Sequence, residues 1–311
     1  MANGFDHTTT ADEVLAGLDL SGRRVLVTGG NSGLGAETAR ALAAVGADVI
    51  ITARDDAKGR SAAEVIGAAT GRDVAYETVE LGSQASVRAF GARFLETFDR
   101  LDVLIANAGV MACPKGSTED GFETHFGINH LGHFLLTTLL LPALEQSTAA
   151  RVVSLSSSAH QRGAVHFDDL AYENTPYEKW DAYGQSKTAN ILFTVELDRR
   201  YRDRGVRAFA AHPGVIQTNL VRHLTEVELA AMFERFSALP GAVKTVEQGA
   251  ATSVYAAAHP ELEGKGGLYF ADCQPCEVDD EARGMRLVRS YAIDPANAER
   301  LWRVSEAMTA A

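Results

Sequence analysis

Short runs of consecutive apolar residues recur along the chain at residues 24–28 (RVLVT), 47–52, 73–79, 101–106, 151–155 and 206–211. Runs of this length, rich in Val, Ile and Leu and apolar on both faces, fit strands of a parallel sheet covered by helices on each side. Between them lie longer stretches of helical composition at residues 36–45, 56–69, 83–98, 118–141 and 182–201. One helix between successive strands predicts right-handed crossovers and an α/β fold: a single doubly wound, seven-stranded and mostly parallel sheet with helices on both faces. Its ligand crevice would lie at the carboxyl ends of the strands. Residues 217–243 break the alternation with a mixed charged and apolar segment, expected to form one or two helices over that crevice. Its Leu220, Val221, Leu224, Leu229, Met232, Phe233 and Phe236 suit an apolar substrate, and equally suit packing of amphipathic helices onto the body.

Charge narrows the range of partners. With 41 acidic residues against 29 Lys and Arg, a formal charge of -12 repels a phosphate backbone, so no nucleic acid is expected. The first 20 residues contain no apolar run and carry acids where a signal peptide carries bases; a cytoplasmic location without a membrane anchor is the expectation. The apolar stretch 134–144 is interrupted by Thr and Pro and falls short of the roughly 20 residues that span a bilayer. Cys113, Cys273 and Cys276 are too few for a disulfide scaffold. A C-x-x-C pair without a second pair reads as small buried or loop thiols before it reads as zinc or redox chemistry.

The segment TGGNSGLG at residues 28–35 sits between a strand and a helix, the context in which a glycine-rich turn binds phosphate. Glycines let the backbone approach a pyrophosphate, which free N–H groups at the helix start then meet. Gly29, Asn31, Ser32, Gly33, Leu34 and Gly35 are therefore candidate dinucleotide contacts. The next strand ends at Ala53 with Arg54 following, where a carboxylate would select the 2′-hydroxyl of NAD(H) and an Arg the 2′-phosphate of NADP(H). NADP(H) is favoured and NAD(H) is the alternative, because Asp55 and Asp56 could instead engage Arg54 in a surface cluster.

Tyr183 and Lys187 lie four residues apart at the start of a predicted helix and share a face. A tyrosine of pKa about 10 transfers protons poorly at neutral pH. An ammonium about 4 Å away, at an effective dielectric near 20, would stabilise the phenolate by roughly 4 kcal/mol, or about three pKa units.

With these motifs in order, the chain resembles the short-chain dehydrogenase/reductases, and among them the retinol dehydrogenase-like members and related bacterial reductases, over residues 18–271. The resemblance rests on the glycine-rich turn, Ala106-Asn107-Ala108-Gly109, Asn129 in GINHLGHF, Ser156-Ser157-Ser158, Tyr183 with Lys187, and HPGVIQT at residues 212–218. It implies a Rossmann-type domain over residues 21–275 with its lid near 217–243, preceded by an extension (1–20) and followed by a helical tail (276–311). It implies an enzyme that interconverts a carbonyl and an alcohol by hydride transfer, with Tyr183 as the acid or base. Lys187 would hold the nicotinamide ribose and lower the tyrosine pKa. Ser157 would orient the substrate oxygen, with Ser156 and Ser158 as rivals, and Asn129 would hold a water connecting Lys187 to solvent. Asn107, Ala108 and Gly109 would support the adenosine side; Pro213 and Gly214 would shape the turn under the nicotinamide, with Ile216 and Thr218 at its carboxamide. Relatives often form dimers or tetramers, and a homodimer or homotetramer is the corresponding expectation.

Two features depart from the family pattern. Glu80-Leu81 replaces the Asp-Leu that contacts adenine. Twenty-five residues separate Ser157 from Tyr183, an insertion shared with the retinol dehydrogenase-like group, whose His166, Tyr177 and Trp180 either border the pocket or pack at the surface. His125 and His133 flank Asn129 on one helical face, where a metal would need a third ligand that the sequence does not offer, so none is assigned. A cofactor-binding sensor without turnover would be expected to have lost Tyr183 or Lys187, and epimerases and dehydratases share the fold in extended relatives.

Overall fold

The computed structural model describes residues 4–238 and 241–310; residues 1–3 of the extension, 239–240 of the lid and 311 of the tail lie outside the described residues. Six parallel strands follow the sequence expectation: β1 (Arg24–Thr28), β2 (Asp48–Ala53), β3 (Ala75–Thr78), β4 (Val103–Ala106), β5 (Ala150–Leu155) and β6 (Val206–His212). A seventh parallel strand, β7 (Leu268–Ala271), and a short antiparallel β8 (Gln274–Pro275) complete one sheet in the order β3-β2-β1-β4-β5-β6-β7-β8. The sheet thus has eight strands where seven are expected. Asp272 and Cys273 take left-handed φ values of 53° and 56°, which closes a two-residue hairpin and turns the chain back on β7.

The strands are apolar on both faces because both faces are covered. Val25 and Val27 of β1 point into one core with α1 (Ala11–Leu15), α2 (Gly33–Ala44), α3 (Asp56–Thr70) and α8 (Val246–Ala258). Leu26, between them, points into the other core with α4 (Gln84–Thr97), α5 (Gly132–Leu144) and α6 (Lys179–Tyr201). β3 is the exception. As the sheet's edge it spans four residues rather than the expected 73–79, none of them buried.

The long helix read at 118–141 differs from the sequence reading. Residues 118–122 form a turn, closed by a bridge from Ser117 to Glu123, instead of the start of a long helix; a π-helical stretch, Phe126–Leu131, then runs directly into α5. Together these form a continuous helix, Phe126–Leu144, of 19 residues. By length and composition it is apolar enough to cross a membrane, which the run 134–144 alone was not, and 78% of its apolar window is buried inside the fold. The lid segment forms a 3-10 turn, Asn219–His223, and α7 (Glu226–Ser237), started by a Thr225–Glu228 capping box.

The tail is not a single helix. β9 (Glu277–Val278) pairs in parallel with β10 (Leu287–Val288), and α9 (Ser290–Ile293) and α10 (Pro295–Thr309) follow. Asp294 caps α10 and Pro295 opens it, which sets its start. Trp302 on α10 is buried against Phe134 of α5 and Phe193 of α6, at ring-centroid distances of 5.0 and 6.0 Å. Trp302→Ala is therefore expected to cost about 3–5 kcal/mol, read by urea denaturation, with Trp302→Phe recovering much of the loss. A change within error would mean that the tail contributes little to this core.

Candidate active site

The glycine-rich turn joins β1 to α2. Gly29 (φ 64°) and Gly33 (φ 53°) sit in the left-handed region that other residues rarely adopt. A Cβ on Gly35 would lie 2.3 Å from the Gly29 carbonyl oxygen, so the turn closes only around glycine. Ser32 is the N-cap of α2 but makes no side-chain cap bond, and no acid occupies the first turn. The helix N-terminus therefore keeps free N–H groups and an uncompensated positive dipole, which suits a pyrophosphate beside Asn31 and Ser32. A Cβ on Gly33 would meet Thr218 at 3.2 Å, showing that the loop after β6 reaches across to the turn. Leu34 and Ile216 likewise converge over Gly249 of α8.

Behind the turn lies a largely buried chain of hydrogen bonds. His133 Nδ1 lies 3.0 Å from the main-chain oxygen of Asn129, which can only accept, so Nδ1 carries the proton. Burial pushes His133 down to about 4 and keeps the ring neutral, leaving Nε2 to accept. The Thr28 hydroxyl, 2.8 Å away, then donates to Nε2 and accepts from the N–H groups of Asn107 (2.9 Å) and Ala108 (3.0 Å). The Asn107 side chain donates to the Thr28 carbonyl at 2.7 Å, so it braces β1 against β4. The Asn129 side chain accepts from Val110 N–H (2.8 Å) and donates to the Val110 carbonyl (3.0 Å) and the Ser186 hydroxyl (2.9 Å). A Cβ on Gly109 would lie 2.9 Å from Asn129 Oδ1 and 3.8 Å from Lys187 Nζ. His125 faces elsewhere: Nδ1 donates to Glu123 at 2.9 Å and Nε2 accepts from Cys113 N–H at 3.1 Å, so His125 and His133 do not converge.

Tyr183 and Lys187 lie in the second and third turns of α6, both buried, with the lysine nitrogen 5.6 Å from the tyrosine ring centroid. Lys187 Nζ donates to the Leu155 carbonyl at 3.0 Å, at the end of β5. The helix starts three residues earlier than residue 182 because Glu178 caps the N–H groups of Trp180 and Asp181. A Cβ on Gly184 would lie 2.6 Å from the Ala159 carbonyl, so glycine lets the 3-10 turn Ser158–Arg162 press against α6. That approach brings Ser157, the N-cap of the turn, to the tyrosine. The expected depression of the Tyr183 pKa is reversed here. Burial pushes the phenol up to about 12 against a hydrogen bond from Ser157, and burial pushes Lys187 down to about 7. Of Ser157's rivals, Ser156 donates to the Lys187 carbonyl at 2.8 Å and Ser158 opens the 3-10 turn.

A cavity of about 670 Å³ lies over Tyr183, bounded by the three serines, by Leu34, Pro213, Gly214, Ile216 and Thr218, and by the lid. Gly214 (φ 93°) packs against Lys244, where a Cβ would approach to 2.9 Å. Of the insertion residues, Trp180 lines the cavity, whereas the Tyr177 hydroxyl donates to the Cys113 carbonyl at 3.1 Å and His166 packs on Tyr172. Arg54 is exposed and lies 3.6 Å from Glu80, not against Asp55 and Asp56, the alternative partners, of which Asp55 caps α3 and Asp56 pairs with Arg60. Glu80 also accepts from Gly82 N–H at 2.9 Å, so its carboxylate bends back over its own loop, and the adjacent Leu81 is buried against α5 at Gly132.

Sequence reasoning missed three contributors. His133 was visible as the residue four after Asn129 on one helix, but its partner Thr28 is 105 residues away. Gly184 lies between Tyr183 and Lys187, where the spacing of the pair gives it no purpose. Arg283, Gly284 and Met285 of the tail line the cavity, held there by Gln161 Nε2 donating to the Gly284 carbonyl at 2.7 Å, and no local pattern marks them.

The short chain dehydrogenase family model matches residues 23–229. Retinol dehydrogenase 12 of Mus musculus is 46% identical over 289 residues, covering 93% of this chain and 86% of that one. A crystal structure of an uncharacterised protein from Mycobacterium paratuberculosis superposes with a TM-score of 0.74 at 37% identity, covering 97% of each chain. The NADP active-site complex of RhlG from Pseudomonas aeruginosa superposes at 0.66 and 27% identity, covering 81% of this chain and 94% of that one.

Four buried histidines make stability depend on pH. Burial pushes His130 and His212 down to about 3, and His133 and His160 down to about 4. Each stays neutral in the folded chain but takes a proton in the unfolded chain below about pH 6.5. The unfolded state then binds more protons, so stability present above pH 6.5 is lost as the pH falls toward 4, by about 1.4 kcal/mol per pH unit for each histidine. Urea midpoints at pH 7.5 and 5.0 check this; equal midpoints would show that these rings are not held neutral.

Proposed function

The chain belongs to the short-chain dehydrogenase family and is an NAD(P)-dependent oxidoreductase of alcohols or carbonyl compounds, and from that premise we propose that it uses NADP(H) to interconvert an apolar ketone or aldehyde with its alcohol through Tyr183. The observation that carries this reading is the joint position of Tyr183, Lys187 and Ser157 under the 670 Å³ cavity, next to the loop that reaches the glycine-rich turn. The name of the mouse relative, a retinol dehydrogenase, supports an apolar substrate, and the RhlG complex supports NADP.

Gly29, Asn31, Ser32, Gly33, Leu34 and Gly35 would hold the pyrophosphate, and Arg54 the 2′-phosphate, because Ala53 offers no carboxylate to a 2′-hydroxyl. Glu80, Leu81, Asn107, Ala108 and Gly109 would border the adenosine half. Pro213, Gly214, Ile216 and Thr218 would border the nicotinamide, which when bound supplies or accepts a hydride. Tyr183, held protonated by burial, donates its proton to the carbonyl oxygen in the reductive direction, and Ser157 orients that oxygen. Lys187 would reprotonate the site from its position at the Leu155 carbonyl, and Asn129, which fixes the Val110 loop beside it, would hold the water that connects Lys187 to solvent.

Arg54→Ala is expected to weaken NADPH binding about tenfold or more and to leave NADH binding unchanged, followed by nicotinamide fluorescence. Equal binding of both cofactors by the parent protein would refute the assignment of Arg54. Tyr183→Phe should lower the kcat for reduction of decanal by about 10²–10⁴-fold with cofactor binding retained. In the parent enzyme the reductive kcat should decline as pH rises through about 7, where Lys187 loses its proton, while Tyr183 stays protonated up to about 12. A rate that climbs across that range would exclude the charged lysine from the mechanism.

A further inference from the structure

The walls of the cavity above Tyr183 are apolar: Met111, Trp180, Leu220, Met232, Phe236 and Met285 supply them, and three flexible methionine side chains adapt to a chain of variable shape. Its charged lining comes from Arg162, Glu228, Arg235 and Arg283. Two of these are neutralised within the protein. Arg162 pairs with Asp181 at 2.7 Å and Glu178 at 3.2 Å, and Glu228 pairs with Lys179 and accepts from Thr225 N–H. Among the described residues, neither Arg235 nor Arg283 lies within ion-pair distance of a carboxylate.

Two acids that precede Arg283 in the sequence hold their own segment together. Asp279 accepts from the N–H groups of Glu281 and Ala282, both at 2.8 Å, and Asp280 accepts from Ser290 N–H at 2.8 Å. Glu234 and Glu281, the neighbours of the two arginines in sequence, do not line the cavity. Arg235 sits 5.8 Å from the centroid of the cavity-lining Phe236 ring. Arg283 is carried by a segment clamped to the 3-10 turn after Ser157: Gln161 binds the Gly284 and Leu287 carbonyls, and the Tyr291 hydroxyl donates to the His160 carbonyl at 2.6 Å. Two uncompensated cations from separate segments thus share one mouth in a chain whose formal charge is -12.

We propose that the substrate is amphiphilic, an apolar chain with the reacting carbonyl or alcohol at the Tyr183 end and a carboxylate at the rim, met by Arg235 and Arg283. The orientation rests on the reading of Tyr183 above; the anion site rests on the arginines alone. Exposed ion pairs each contribute modestly, so two of them should favour a carboxylate about fivefold to tenfold over a neutral head on the same chain.

The test is a titration that needs no turnover: dodecanoate and dodecan-1-ol are each added to the full-length protein while tryptophan fluorescence is followed, since Trp180 lines the cavity. The parent should bind dodecanoate about fivefold to tenfold more tightly, and Arg235→Gln/Arg283→Gln should bind the two alike at an unchanged melting temperature. Equal binding by the parent, or a carboxylate preference that survives in the double variant, overturns the anion site. Reduction of dodecanal and 12-oxododecanoate is measured in parallel. If the arginine-dependent preference is present but neither aldehyde is reduced, the role of Tyr183 and the orientation built on it fall while the anion site stands. If dodecanal is reduced without any carboxylate preference, the anion site alone falls.

Discussion

The Thr28 hydroxyl is the junction on which the arrangement of this crevice depends. It sits, buried, at the carboxyl end of β1, where the strand order reverses direction, and it satisfies three partners at once: the N–H groups of Asn107 and Ala108 from the loop after β4 and the ring of His133 from the helix that follows. His133 passes the connection to the Asn129 carbonyl, and the Asn129 side chain passes it to Val110 and to Ser186 on the helix of Tyr183. In a dry interior each of these groups would be costly to leave unpaired, so the network fixes the relative positions of the glycine-rich turn, the loop after β4 and α6. The π-helical stretch Phe126–Leu131 belongs to the same arrangement, since it carries Asn129 into the network and then gives way to regular helix.

The same dryness sets the electrostatics. A lysine near a tyrosine suggests an acidified phenol, yet both groups are buried, and desolvation disfavours the charged form of each, raising the phenol and lowering the amine. A protonated phenol beside an amine that titrates near neutrality is suited to giving up a proton when a carbonyl oxygen gains charge. The buried neutral histidines follow the same rule at the level of the whole fold.

Much of this was legible beforehand. All six strands read from apolar runs are found within two residues, because a strand buried on both faces has no freedom to place polar residues. The edge strand β3 was over-extended for the converse reason: half exposed, it has no such constraint. The long helix and the tail were misread because helical composition does not distinguish a bridged turn from a first helical turn, nor a paired dipeptide from a loop.

Residue types and spacing alone determined the family, the doubly wound sheet, the glycine turn and the Tyr183–Lys187 pair on one face, because these depend on local backbone geometry and on contacts within a few residues. The tertiary structure decided which partner Arg54 faces, what Ser156 and Ser157 bind, the protonation states of Tyr183 and Lys187, and that the tail supplies part of the cavity wall. Each of those depends on burial and on contacts across long stretches of chain, such as Thr28 with His133 and Gln161 with Gly284, and desolvation has no magnitude until the fold has removed the water.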